Sequence, residues 1–178
     1  QGKSFLPMGS DPNGRIKIGA NDKWCSKGTQ ELHIGDFNND KKSDLLCRVN
    51  VHEADEGSNY IMLSTGDAFE PMTNTTDGFV SVGKLGKFCF AESRLVVGNF
   101  DGQGGDDLFC NNPTGGSIVN MLMISNGTSF VSANANILGA VQMGQTDMCQ
   151  PVWCVEPESK IMTGDFNGDG KADLLCNA

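Results

Sequence analysis

The sequence predicts an all-β protein: an array of three four-stranded antiparallel repeats, closed by its two termini and cross-linked by disulfides. Three observations carry that expectation. A thirteen-residue segment recurs three times, and each copy is flanked by strand-like runs. Six of the seven cysteines fall into three pairs at intervals of 22, 21 and 22 residues. Glycine supplies 23 of the 178 residues, about twice the usual share, which suits many tight turns and counts against helices.

The recurring segments are GDFNNDKKSDLLC (35–47), GNFDGQGGDDLFC (98–110) and GDFNGDGKADLLC (164–176), which align without gaps at spacings of 63 and 66 residues. A short apolar or alternating run precedes each, at 32–34, 95–97 and 161–163, and predicts the first strand. The chain runs on past each Asp-Leu-Leu/Phe-Cys as a second strand. Apolar stretches at 60–63 and 121–124 predict a third. The turn-like segments TGDAF (65–69) and NGTSF (126–130) lead into a fourth. One unit is thus four short strands in about 64 residues, repeating over 36–98 and 99–164. The N-terminal QGKSF (1–5) matches the same turn, so a third unit, 165–178, is expected to be completed by 1–35, without a segment like 60–64. Closing such an array removes unpaired sheet edges.

The repeat also selects a disulfide pairing among the 15 that six cysteines allow: Cys25–Cys47, Cys89–Cys110 and Cys154–Cys176. Each bridge closes a loop worth roughly 3 kcal/mol in the chain-entropy model. Zinc is a poor rival, because no CxxC occurs and the two histidines, His33 and His52, sit at non-equivalent positions. Cys149 is left over, either as a free buried thiol, the preferred reading, or as a bridge to a second copy in a homodimer. Two glycosylation triplets start at Asn74 and Asn126. With the cysteines they point to a secreted, extracellular protein. The start at Gln1, with no signal peptide visible, is expected of a mature or excised segment.

Oxygen-bearing residues recur at every second position of the repeated segments. The first loop carries Asp36, Asn38, Asp40 and Asp44, with the Lys42 carbonyl between; the third carries Asp165, Asn167, Asp169 and Asp173, with that of Lys171. A loop curling around one ion turns alternate side chains inward and supplies the six to eight hard oxygens that Ca²⁺ takes. Three carboxylates that close repel one another until a divalent cation joins them, so binding and folding are coupled. The second loop offers Asn99, Asp101, Gln103, the Gly105 carbonyl and Asp107, with only two formal charges. It is expected to bind most weakly or not at all, with Asp106 as a supplementary carboxylate. Two strong sites and one weaker one follow. An EF-hand is excluded, since its bidentate glutamate would fall on Cys47, Cys110 and Cys176 and the chain after the loop is strand-like.

These segments resemble the FG-GAP (VCBS) repeat, the calcium-loop repeat of integrin alpha-subunit β-propellers and of many secreted lectins, adhesins and enzymes. The resemblance implies four-stranded blades around a central axis, with Ca²⁺ held between strands by the residues named above. Propellers usually have four to eight blades. Three units therefore point to a tight ring, to a six-blade ring of two chains, or to a longer parent protein.

A net charge of −9 argues against nucleic acid and anionic membrane surfaces as partners. No apolar stretch approaches the roughly 20 residues of a membrane span. No Gly-x-Ser-x-Gly, His-Glu-x-x-His or phosphate-binding glycine loop occurs, so the protein is not expected to be an enzyme. His33, on the polar face of a strand, and His52, in an acidic loop, read as solvated. Trp24, Phe88 and Trp153 recur beside the cysteines and read as core rather than as sugar platforms; Phe37, Phe100 and Phe166 read as anchors beneath the metal. The expected function is a calcium-binding module, a lectin or adhesion protein recognising an extracellular glycan or protein. The alternatives are a structural calcium-binding protein and an accessory domain of a larger secreted enzyme or toxin.

Overall fold

Period-two patterning and β-branched or aromatic residues at the alternate positions place eleven strands, and no α-helix, among the described residues. A computed structural model of the chain describes residues 11–12, 15–19, 24–50, 55–83, 86–113, 120–134, 140–141, 143 and 153–177. The turn expected at 1–5, His52 and Cys149 lie outside the described residues.

The first sheet runs β1 (Gln30–Gly35), β2 (Asp44–Val49), β3 (Asn59–Ser64) and β4 (Phe69–Pro71), all antiparallel neighbours. β5 (Phe79–Val80) also pairs with β3, at residues 59–60, whereas β4 pairs at 62–64. The two short strands share one edge of β3, so five strands make a sheet four deep. The second sheet repeats the order with β6 (Arg94–Gly98), β7 (Asp107–Asn111), β8 (Asn120–Ser125) and β9 (Phe130–Ser132). A bridge between Met121 and Ala140 stands where Tyr60 pairs with Phe79 in the first sheet. The third sheet is β10 (Lys160–Gly164) with β11 (Asp173–Asn177). The register is the same in all three first pairs: Gly35 faces Asp44, Gly98 faces Asp107, and Gly164 faces Asp173.

One expectation is corrected. Among the described residues the sheets have five, four and two strands rather than three times four, and they do not close on themselves. Of residues 1–35, expected to complete the third unit, the described part contains one strand, β1, which opens the first sheet, and 1–10, 13–14 and 20–23 lie outside the described residues. A third strand, equivalent to β3 and β8, is what the β10–β11 pair lacks among the described residues.

All three predicted disulfides are present, with Cα–Cα distances of 5.5, 5.4 and 5.7 Å. The first cysteine of each lies in a left-handed turn, with φ of 51°, 60° and 57° at Cys25, Cys89 and Cys154. The turn aims each thiol at the second strand of its own sheet. Successive first strands adjoin, β1 against β6 and β6 against β10. One apolar cluster spans the first two sheets, from Phe37, Leu46 and Ile61 to Phe88, Leu95 and Leu108.

An arginine ties each unit to the disulfide turn of the next. Arg48 of β2, fully buried, donates to the Cys89 carbonyl at 2.9 Å and the Ser93 carbonyl at 3.1 Å. Arg94 of β6 donates to the Cys154 carbonyl at 2.9 Å and the Glu156 carbonyl at 2.8 Å. Arg48 also pairs with Glu31 across the strands, and Asn50 donates to the same carboxylate. His33 Nε2 lies 3.5 Å from it. These neighbours, His33 first, outweigh the cost of burial and lower the Glu31 carboxyl from 4.5 to about 2.

A depressed carboxyl contributes stability above its unfolded value and loses it as pH falls through the folded one. Urea midpoints of the wild-type protein should therefore drop between pH 4.5 and about 2 more steeply than those of Glu31→Gln. Because the Glu31 side chain is 41% exposed, solvent screening limits the difference to about 1 kcal/mol. Arg48→Ala should cost about 3 kcal/mol, since it strips two buried carbonyls of charged donors.

Candidate functional site

Each strand pair β1–β2, β6–β7 and β10–β11 is joined by one of the acidic loops, so every sheet presents its loop at the same end. The first loop is wound on its own side chains. Asp36 accepts the Asp40 N–H at 3.0 Å and the Lys41 N–H at 2.9 Å. Asn38 Oδ1 accepts the Asp40 N–H at 3.1 Å, and Asp40 accepts the Lys42 N–H at 2.9 Å. The third loop repeats these bonds residue for residue. Asp165 accepts from Asp169 at 3.1 Å and Gly170 at 2.9 Å, Asn167 from Asp169 at 2.8 Å, and Asp169 from Lys171 at 2.9 Å. Short polar side chains that bond the backbone two to five residues on are what coil such a segment.

The second loop holds only part of this ladder. Asn99 accepts from Gly102 at 2.7 Å and Asp101 accepts from Gln103 at 2.7 Å. The Asn99 amide donates to the Gly104 carbonyl at 3.5 Å. Gly105 is buried, and its Cα lies so close to the first loop that a Cβ would stand 2.4 Å from the Phe37 carbonyl oxygen. Its backbone serves the joint between loops. Asp106, expected to supplement this loop, belongs to the same joint. Its carboxylate accepts the Asp36 N–H at 2.8 Å, and its own N–H donates to the Asp36 carbonyl at 2.6 Å. The alternation of residue types could not reveal this, because the partner loop is 70 residues away.

The last acid of each loop stands apart. Asp44 and Asp107 open β2 and β7, and both are fully buried. Asp44 accepts the Phe37 N–H at 2.9 Å through one oxygen and the Ser64 N–H at 2.8 Å through the other. Asp107 accepts from Phe100 at 2.8 Å and from Ser125 at 2.8 Å. Each thus clamps the start of its loop to the end of the third strand. Burial pushes the Asp44 carboxyl up and that of Asp107 to about 6, against the pull of these backbone donors. Asp173 accepts the Phe166 N–H at 3.0 Å and is only half-buried.

Two of the outer acids, Asp40 and Asp165, are exposed and have lowered carboxyls. The Lys42 side chain, 2.6 Å away, holds the Asp40 carboxyl below its usual range, and backbone donors, Gly170 first, do the same for Asp165. In the third loop the Asn167 amide nitrogen lies 3.3 Å from Asp169 and 3.5 Å from Asp173, so a donor stands between two carboxylates. Hard oxygens converging on a donor are a set that a small hard cation fits. The third loop meets this test; the first shares its backbone ladder, and the second shares that ladder only in part. Among the described residues no three His, Cys, Asp or Glu side chains form a metal group on their own; the loop sets include amide and carbonyl oxygens as well.

Residues 159–178 match the FG-GAP repeat. That FG-GAP stretch contains β10, the third loop and β11, and the first loop shares its hydrogen-bond ladder. No curated protein and no solved structure matches the chain.

The aromatic residues take unequal places. Phe88 is buried in the core, Trp153 packs edge-on against Phe109 at 6.1 Å, and the Trp24 indole donates to the Asp77 carbonyl at 3.0 Å. Of the three loop phenylalanines, Phe37 is fully buried and Phe100 half-buried, but Phe166 is 59% exposed, so it is no anchor. His33 is half-buried rather than solvated. Asn74 and Asn126 are both exposed.

Two measurements separate loop geometry from metal. Asp44→Asn leaves a buried backbone N–H without its acceptor and should cost about 1–3 kcal/mol in urea melts even with chelator present. Lys41 holds a φ of 68° where the other loops have Gly104 and Gly170. Lys41→Gly should raise stability by about 0.5–1 kcal/mol, because glycine adopts this region without a Cβ clash and keeps the N–H bonded to Asp36.

Proposed function

We propose that the protein is a secreted, non-catalytic, calcium-binding module with a β-propeller-like arrangement of FG-GAP repeats, and that it acts as a lectin or adhesion protein on an extracellular glycan or protein. The observation that carries the reading is the shared ladder of the first and third loops, where Asp, Asn and Asp at alternate positions bond the same backbone groups. Three disulfides support an oxidising, extracellular setting. Quasi-equivalent units suit multivalent recognition of a repeated ligand.

Ca²⁺ at the first site would be held by Asp36, Asn38, Asp40, Asp44 and the Lys42 carbonyl, and at the third by their equivalents. It would neutralise carboxylates that otherwise repel. A structural role for the ions is the second reading. It is favoured by the way the first loop is bonded to the second through Asp106, and the second to the third through the Ala172 N–H and the Asn99 carbonyl at 2.8 Å. An ion there would stiffen the joints between units.

Calorimetric titration of chelator-stripped protein should show two tight Ca²⁺ sites and at most one weak one, with a rise in melting temperature. Asp165→Asn with Asp169→Asn should remove one tight site, and Asp101→Asn should leave both. A glycan array read with and without chelator tests the recognition step: calcium-dependent binding is expected, and tight Ca²⁺ uptake with no bound glycan or cell surface would leave the structural reading.

A further inference from the structure

The aromatic residue before the first cysteine of each pair takes a different place in each unit. Phe88 is buried and Trp153 packs against Phe109 of the second unit, but Trp24 lines a groove. The groove has a volume of about 580 Å³, and its described lining is Asp11, Arg15, Ile16, Lys17, Ile18 and Trp24. That size suits a small molecule or one stretch of a chain rather than a folded partner. The indole is held in place: its N–H donates to the Asp77 carbonyl at 3.0 Å, and a Cβ on Gly19 would stand 3.3 Å from its Cδ1 atom. A ring fixed in advance loses little side-chain entropy when a ligand covers it.

Exposure alternates along residues 15–18. Arg15 and Lys17 are exposed and Ile16 and Ile18 half-buried, so the two cations share the solvent side. The Arg15 side chain is 79% exposed, and its Nε lies 3.5 Å from the Asp11 carboxylate. An ion pair so exposed holds the guanidinium only weakly. Among the described residues Lys17 pairs with no carboxylate. Charge along the chain points the same way. Residues 1–28 hold five basic and two acidic residues, whereas 29–178 hold eight basic and 20 acidic. A strongly acidic protein thus has an excess of positive charge in the segment that forms the groove, and that local field attracts anions.

We infer that the groove is a binding site for an acidic sugar: Arg15 and Lys17 take a carboxylate on the sugar ring, Trp24 stacks on the ring's apolar face, and Asp11 accepts its hydroxyls. The Arg15 guanidinium fits a carboxylate through two parallel N–H groups, and Lys17 adds a point charge. The flat indole beside them selects a ring over a flexible chain. Asp11 separates an acidic sugar from an acidic peptide. Its carboxylate repels a ligand whose charges follow one another, but it accepts the hydroxyl hydrogens that a sugar offers around its ring. The site rests on the reading of the protein as a glycan-binding module and gives that module its class of ligand. No acidic-loop residue is in the described lining, so binding here does not require calcium.

Calorimetric titration of the oxidised full chain, in chelator, with galacturonic acid, tetragalacturonate and the fully methyl-esterified tetramer tests this. Both acids should bind and the neutral ester should not, and binding should weaken as salt rises from about 0.05 to about 0.5 M. A tetramer held more tightly than the monomer means an acidic sugar within a chain, and equal affinities mean one at a chain end; either result supports the site. Arg15→Ala and Lys17→Ala change exposed side chains, so both should keep the wild-type circular dichroism while each lowers the affinity for the acids by about tenfold or more. Trp24→Ala should weaken binding likewise. Should it impair folding, acrylamide quenching of Trp24 in the Trp153→Phe protein reads the same contact, and tetragalacturonate should protect the indole. Silence toward both acids, equal binding of ester and acid, or an affinity unmoved by Arg15→Ala and Lys17→Ala would overturn the inference. So would a hexa-aspartate peptide bound as tightly as tetragalacturonate, which would mark a general anion patch. Calcium-dependent binding of a neutral glycan beside silence toward the acids would remove this site and leave glycan recognition standing.

Discussion

The joint between successive units is the constraint on which the rest of the molecule depends. A sheet of four short strands cannot bury its own trailing face, so its apolar residues are covered only when the next unit is in place. The joint combines apolar packing with directed bonds: a loop carbonyl to the next loop's backbone, and an arginine to the next disulfide turn. The bonds fix the rotation of one sheet on the next, which apolar contact alone leaves loose. The cysteine bridge takes part as a scaffold for that carbonyl, because the left-handed turn at Cys89 or Cys154 is what aims it at the arginine.

The acidic loops do two jobs with one set of residues. Alternate side chains coil the backbone, and in doing so gather oxygens on the inside of the coil. The last acid has withdrawn from solvent and braces the third strand, since Asp44 and Asp107 hold Ser64 and Ser125 by their backbone N–H groups. A carboxylate buried without a counter-charge is disfavoured as an anion, and its raised pKa records that cost. A cation in the loop would offset it. Such a cation would link the loop to the integrity of the sheet through one side chain.

The differences between the loops follow from what each one touches. Loop one is pressed against loop two, where Gly105 is the only residue type that lets the backbones approach so closely. Loop three has the motif nearest the FG-GAP pattern and is the most solvated, because no unit follows it among the described residues. Motif quality and burial therefore run in opposite directions along the chain.

The sequence by itself determined the all-β class, the order of the first two strands in each unit, the three cysteine pairs and the coiled acidic loops. All of these depend on residues within about 25 positions of each other, and the repetition exposes them. Tertiary structure decided the rest. Phe37, Phe100 and Phe166 are the same residue at the same place in the motif, yet they range from fully buried to 59% exposed, since only a neighbouring unit covers that face. Arg48 and Arg94 sit on different strands of their pairs and do the same work, which no alignment of the repeats suggests. Asp106 reads as part of its own loop and bonds another. Strand number and closure were likewise invisible to pattern, because an edge is paired or left open according to what lies beside it in space, not along the chain.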